Sequence, residues 1–330
     1  MFRVRLVAVL AAVSLLAPAV HGWSKSGHMA TGAIAYRVLK KESPDTIPKV
    51  VALLKKHPYY DSKDAPAAER WKPKLDALAS DAERDEFLFM LAARWADDAR
   101  DDEDYYPQGK HYDQFHYINT PYKPAGQPSS VKVAQPSDIN ILRGYDKFLA
   151  QFKEGATASA RAVGLCWVLH LIGDAHQPLH STSLFTEKFQ KDGTKLVGDR
   201  GGTRFYIRKK AGSSPMSLHS YWDGLVTTNS SYAGNRKEVD KLMENPAHAK
   251  EKLATDLARP DFDDWLDESF RLAKKATYTF DGELLKGGTT KASAEALPTG
   301  YHEEAEKHAE RRAVLAGYRI ADVLKKVLDE

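Results

Sequence analysis

The sequence predicts an all-α fold, a single large helical domain that carries a small β-hairpin. Three observations predict it. Apolar residues recur at three-to-four spacing along seven or so stretches. One of these, Ala160 to Ala175, is apolar nearly all round, as suits a buried central helix. Only Lys195 to Lys210 breaks the pattern, with Gly198-Asp199-Arg200-Gly201-Gly202 set between short β-prone runs that include Phe205-Tyr206-Ile207.

The first element lies outside the domain. Arg3 and Arg5 precede an apolar segment, Leu6 to Ala17, that is too short to span a bilayer. Pro18 breaks it, and Val20 and Gly22 supply small residues before a cut. Residues 1–22 are therefore expected to be a secretory signal removed ahead of Trp23, the alternative being an uncleaved anchor. The domain is then 23–330, exported to a periplasm or secreted, and 308 residues suffice for one large core. Losing Arg3 and Arg5 takes the formal charge from +3 to +1. Such a chain does not advertise bulk affinity for nucleic acid, although bound cations would add charge locally.

Within the domain, His28 to Lys40 places Ala30, Ile34, Ala35, Val38 and Leu39 on one face. Leu75 to Ala93 continues similarly, and Asp138 to Phe152 follows Ser137 as a candidate cap. Pro178 ends the central helix. Pro260 to Ala276 and His302 to Leu328 complete the set. Residues 99–110 and 120–136, rich in Asp, Pro, Gly and Ser, read as loops. Cys166 is the single cysteine, so there is no internal disulfide and the thiol reads as a small core residue. Asn229-Ser230-Ser231 formally fits a glycosylation acceptor, a weak match. No second apolar span follows, and the chain is expected to be a monomer without stable membrane association.

The chemistry concentrates in LHLIGDAHQPLH (169–180) and LHSYWDG (218–224). His170 and Asp174, and again His219 and Asp223, stand four residues apart, which puts each pair on one helix face within reach of a shared ion. Imidazole and carboxylate together suit zinc. Alone, each pair is equally well explained by helix-end hydrogen bonding or an exposed polar face. An Asp on so apolar a helix is costly unless it is paired. His180 follows Pro178, where the chain turns back. Asp97 ends another apolar helix, and His116 sits amid apolar neighbours. Trp23 would carry the free α-amine after cleavage, with His28 five residues on. That amine has a reference pKa of about 7.7–8.0, and with its own carbonyl it can chelate one ion.

Taken in order, Trp23…His28, Trp95-Ala96-Asp97, Phe115-His116-Tyr117-Ile118, His170…Asp174…Gln177-Pro178-Leu179-His180 and Leu218-His219-Ser220-Tyr221-Trp222-Asp223 resemble the zinc-dependent single-strand nuclease/3′-nucleotidase family of fungi and plants. More remotely they resemble the trinuclear zinc phospholipases C. The likeness runs through Gly317-Tyr318-Arg319-Ile320-Ala321. It implies about three zinc ions. Asp97, His116, His170 and Asp174 would hold one. Trp23, His28 and Asp174 would hold a second, and His180, His219 and Asp223 a third. It further implies a catalytic role for Asp97, a phosphate contact from Arg100 one helical turn on, base stacking by Tyr117 and a base contact from Asn119, where fungal members have Asp. Gly201-Gly202-Thr203 departs from a family Gly-Gly-Asn. His176 reads as support or helix end, and His57, His111, His248, His302 and His308 as surface residues.

The expected activity is hydrolysis of single-stranded DNA or RNA to 5′-phosphorylated products, with 3′-nucleotides also cleaved. A zinc phospholipase C is the nearest alternative. A non-enzymatic zinc-binding protein is the other, and the scatter of histidines over core helices, without a His-rich tract, speaks against it.

Overall fold

The computed structural model describes residues 23–63, 65, 69–107 and 112–329; the expected leader at 1–22 and His111 lie outside them. Among these residues the helices are α1 (Lys25–Glu42), α2 (Thr46–Leu54), α3 (Pro58–Asp61), α4 (Trp71–Asp76), α5 (Asp81–Asp98), α6 (Ile141–Glu154), α7 (Ala158–Ala175), α8 (Leu218–Asp223), α9 (Tyr232–Glu244), α10 (Lys250–Leu257), α11 (Phe262–Leu272) and α12 (Tyr301–Leu328). Their starts follow the side chains on offer. Ser24, Ser80, Asn140 and Thr157 each accept an amide hydrogen two or three residues on, and Ser80 with Glu83 closes a reciprocal capping box. α1 packs against α5 and α12, while α7 packs against α5 and α6. α7 is buried over most of its circumference, as its sequence requires.

The strands are two or three residues long: β1 (Pro121–Tyr122), β2 (Ser183–Leu184), β3 (Lys191–Asp192), β4 (Lys195–Leu196), β5 (Tyr206–Arg208), β6 (Pro215–Ser217), β7 (Thr279–Phe280), β8 (Glu283–Leu284) and β9 (Glu295–Ala296). β1 pairs with β2 in parallel, β3 with β4 and β7 with β8 are hairpins, and β6–β5–β9 forms the widest sheet. The domain is mainly helical with small β elements, as the sequence predicts.

Several details differ. The single hairpin expected in 195–210 is two, β3–β4 before the glycine loop and β5–β6 after it. The periodic run 75–93 breaks between Asp76 and Asp81, where Ser80 restarts a helix. α6 begins at Ile141, capped by Asn140 and not by Ser137. His57 is buried, stacked 4.5 Å from Trp71, and burial pushes its imidazole down to about 3. His248 is also buried, its Nδ1 donating to the Leu242 carbonyl at 2.9 Å. The surface reading is therefore wrong for both. Cys166 is a buried core thiol, and burial raises its pKa.

Two buried polar assemblies brace the site from outside. At the C-terminal end of α7, Ser269 donates to the Ala175 carbonyl (2.6 Å) and Arg312 to the His176 carbonyl (3.3 Å). His176 donates through Nδ1 to Ile172 (2.7 Å) and accepts from Arg319 at Nε2 (2.7 Å). Glu268 takes both guanidiniums at 2.6–2.7 Å. Cationic groups at a helix C-terminus also oppose its dipole. Beneath the glycine loop, the buried Asp199 accepts from the Leu184 amide (2.8 Å) and the Tyr278 hydroxyl (2.7 Å). Burial pushes its carboxyl up to about 6.

Glu268→Ala would strand two buried guanidiniums, and a loss of about 3–5 kcal/mol in urea unfolding at fixed metal concentration is expected. For Asp199 the folded protein holds a proton that the unfolded chain releases near pH 4. Its contribution to stability therefore falls as pH rises from about 4 to about 6, by roughly 1–3 kcal/mol. The stability difference between wild type and Asp199→Asn, followed across that window, should show this fall; a flat difference would contradict it.

Candidate metal centre

Four helices and two 3₁₀ turns converge on one buried point. α1 supplies His28, α5 Asp97, the turn Tyr112–His116 supplies His116, α7 His170 and Asp174, the turn Pro178–Ser181 supplies His180, and α8 His219 and Asp223. The four-residue spacing in α7 and α8 places both members of each pair on the inner face. All eight side chains are buried. Gly173 makes the approach of α1 possible, because a Cβ there would stand 2.6 Å from His28 Nδ1.

Three groups form: His28 with His170 and Asp174, Asp97 with His116 and His170, and His180 with His219 and Asp223. The Asp174 carboxylate lies between them. Its Oδ2 is 2.9 Å from His116 Nδ1 and 3.2 Å from His170 Nε2. Its Oδ1 is 3.4 Å from both His28 Nε2 and His180 Nδ1. His170 Nε2 stands 3.0 Å from His116 Nδ1 and 3.9 Å from Asp97 Oδ1. His219 Nε2 stands 3.7 Å from Asp223 Oδ2.

The tautomers follow from what lies behind each ring. His170, His180 and His219 hold Nδ1 against the carbonyls of Ala93 (2.9 Å), His116 (2.6 Å) and Gly201 (2.6 Å). A carbonyl only accepts, so each Nδ1 carries a proton and each Nε2 is the nitrogen turned inward. His116 is reversed. Tyr106 donates to Asp113 (3.0 Å) and can accept from His116 Nε2 (3.0 Å), which leaves Nδ1 as the lone pair. Ring nitrogens and carboxylate oxygens thus crowd together. Both ring nitrogens of His28, Asp174 Oδ1 and Asp97 Oδ2 are buried without a hydrogen-bond partner.

This donor set fits a divalent cation. Donors at about 2.0–2.1 Å from a tetrahedral zinc lie roughly 3.3–3.4 Å apart, the scale of the separations around Asp174. The electrostatics agree. Burial alone would raise the carboxyls of Asp174 and Asp97, but His170 and its neighbours outweigh it and hold both well below the usual range. Asp223 has no such partner. Burial drives it well above that range, offset only partly by Gln177. Burial pushes His116 down to about 3, Arg100 adding to the effect, and lowers His28, beside the cofacial His170 ring at 3.8 Å. A cation would stabilise the Asp174 and Asp97 carboxylates, draw Asp223 toward its ionised form, and take the place of the proton on His170, which Asp174 and Asp97 hold above the usual imidazole value against the pull of burial.

Trp23 is fully buried at the foot of α1. Ser24 donates to the Asp223 carbonyl (3.0 Å) and to the Thr227 carbonyl (3.0 Å), tying that end of the chain to α8. Arg100 lies beyond the end of α5 and not one helical turn along it. It grips Asp97 Oδ1 at 2.8–2.9 Å and Asp113 at 3.2 Å, so it is a largely buried ion pair. Tyr117 and Asn119 line a groove of ≈ 530 Å³ with Leu179, Thr203 and His219. The groove therefore opens directly on a member of the third group.

Sequence reasoning missed Tyr106, Asp113 and Gln177. Gln177 caps the turn that carries His180 and donates to Asp223 Oδ1 at 2.7 Å. Its place just before Pro178, where a cap belongs, was the available signal. Nothing local marks Tyr106 and Asp113 as holders of His116.

The family model described as S1/P1 Nuclease matches residues 23–329. The chain is also similar to Endonuclease 1 of Arabidopsis thaliana, at 22% identity over 339 residues, covering 99% of this chain and 94% of that protein. On this match over nearly the whole chain, which carries three buried His/Asp groups that could hold metal ions, the chain belongs to the S1/P1 nuclease family of metal-dependent, phosphodiester-hydrolysing enzymes.

Proposed function

We propose that this nuclease is an exported zinc enzyme that cleaves single-stranded DNA and RNA to 5′-phosphorylated products and also hydrolyses 3′-nucleotides. One observation carries the reading: three buried donor groups share or adjoin Asp174, and the groove beside them presents Tyr117 and Asn119. Asp97, His116, His170 and Asp174 would hold one zinc. The Trp23 amine and carbonyl, with His28 and Asp174, would hold a second, and His180, His219 and Asp223 a third. Bound zinc lowers the pKa of water toward 7 and polarises the phosphoryl group.

The chain's own residues do the rest. Asp97 stays ionised, with Oδ2 free of a hydrogen bond, and can accept the O–H of an attacking water. Arg100, fixed against Asp97, brings a permanent positive charge to the phosphate side. Tyr117 offers a ring on which any unpaired base can stack. A base inside a duplex is not available to it, which accounts for single-strand preference. Asn119 both donates and accepts, so it tolerates more base edges than a carboxylate would. Export rests on the basic and apolar pattern of residues 1–22.

Single-stranded DNA and 3′-AMP should be hydrolysed by correctly trimmed protein, duplex DNA at least about tenfold more slowly because extruding each base costs stacking energy. Chelator should abolish all three rates. Turnover of phosphatidylcholine in preference to DNA, or turnover that survives chelation, would overturn the reading. Metal analysis gives a separate check. Asp174→Ala should cost two bound ions and His219→Ala one. An extra residue ahead of Trp23 should also cost one, and unchanged zinc content there would exclude the amine ligand.

A further inference from the structure

Residues 186–210 hold eight Lys or Arg against three Asp or Glu, in a chain whose formal net charge is only +3. Three of these cations, Lys195, Arg200 and Arg204, line the same groove as Tyr117, Asn119 and His219. Arg200 sits at φ 54°, in the left-handed region, between Gly198 at 62° and Gly201 at 60°. Glycine or asparagine would be easier there, and a long side chain at such a position points to use. The backbone is pinned on both sides. The Arg200 amide donates to Ser183 Oγ (3.1 Å), and the Gly201 carbonyl holds His219 (2.6 Å). The loop that orients a candidate metal ligand therefore also presents a guanidinium to the groove.

Counter-charge is scarce. Asp192 bonds Arg200 at 2.7 Å and lies 3.8 Å from Arg204. Asp113, across the lining, is already taken by Arg100 and Tyr106. Asp199 is buried beneath the loop. The Lys195 side chain makes no ion pair or hydrogen bond among the described residues and stands in solvent on β4. Lys and Arg along a groove beside an aromatic platform are the chemistry of a backbone-tracking single-strand site.

We propose that Lys195, Arg200 and Arg204 form a phosphate track that holds the backbone phosphates flanking the cleaved one, so that the groove binds an oligonucleotide more tightly than a single nucleotide. The track rests on the nuclease reading of the neighbouring groove. It implies that the chain discriminates between polymer and monomer by contacts remote from the reacting phosphorus, which raise affinity without entering the chemical step.

The test compares a single-stranded oligo(dA) with 3′-AMP, which has no flanking phosphate, on the metal-loaded protein. Lys195→Glu and Arg200→Gln should each raise KM for the oligonucleotide about three- to tenfold, and the slope of log KM against log salt should become shallower by about 0.7 per lost contact. For 3′-AMP both parameters should stay at wild-type values, and Lys195→Arg should behave as wild type on both substrates. An equal loss on both substrates, or no loss on either, overturns the track. Wild type that cleaves both while the variants are unaffected sinks only the track. Wild type that cleaves neither removes the underlying nuclease specificity and the track with it.

Discussion

The structure turns on a carboxylate. Asp174 projects from α7, a helix buried over most of its circumference, into a cavity walled by imidazoles, and four histidine nitrogens lie within 3.4 Å of its oxygens. Water cannot solvate it there. Protons could neutralise the cluster only piecemeal, because His28 and His170 are cofacial and cannot comfortably both be cationic. Everything around the site serves to keep these donors in place, so close that His116 Nδ1 lies 2.9 Å from Asp174 Oδ2 and 3.0 Å from His170 Nε2. Three of the rings turn Nε2 inward and an N–H outward.

The outward bonds mostly end on backbone. Three of the rings are held by carbonyls from α5, from the His116 turn and from the glycine loop. A carbonyl cannot be removed by substitution, only displaced. The precision of the centre therefore rests on how firmly those three segments are themselves held. Asp199 with Tyr278 anchors the loop, and Ser269, Arg312 and Arg319 anchor the end of α7. Polar residues far from the groove thus have a mechanical stake in it.

The long helices were legible because their apolar stripes are wide, and α7 because it has scarcely any polar face. The ligand pairs were legible because four-residue spacing is a local property of a helix. α9 and α10 were not, since only Asn235, Val239, Leu242 and Leu253 of them are buried, too thin a stripe to stand out. His57 and His248 were misread because their partners, Trp71 and the Leu242 carbonyl, are chosen by the fold and not by their neighbours in sequence. Tyr106, Asp113 and Arg312 escaped for the same reason. Their roles exist only once distant segments have met.

The last helix has a consequence for timing. Arg312 and Arg319 close over the end of α7 from near the C-terminus, while candidate ligands begin at residue 23. In a growing polypeptide the end of α7, which carries Asp174, therefore lacks this brace until residues 312–319 have been made and have docked. Contacts across more than a hundred residues of sequence thus decide when the end of α7 becomes rigid.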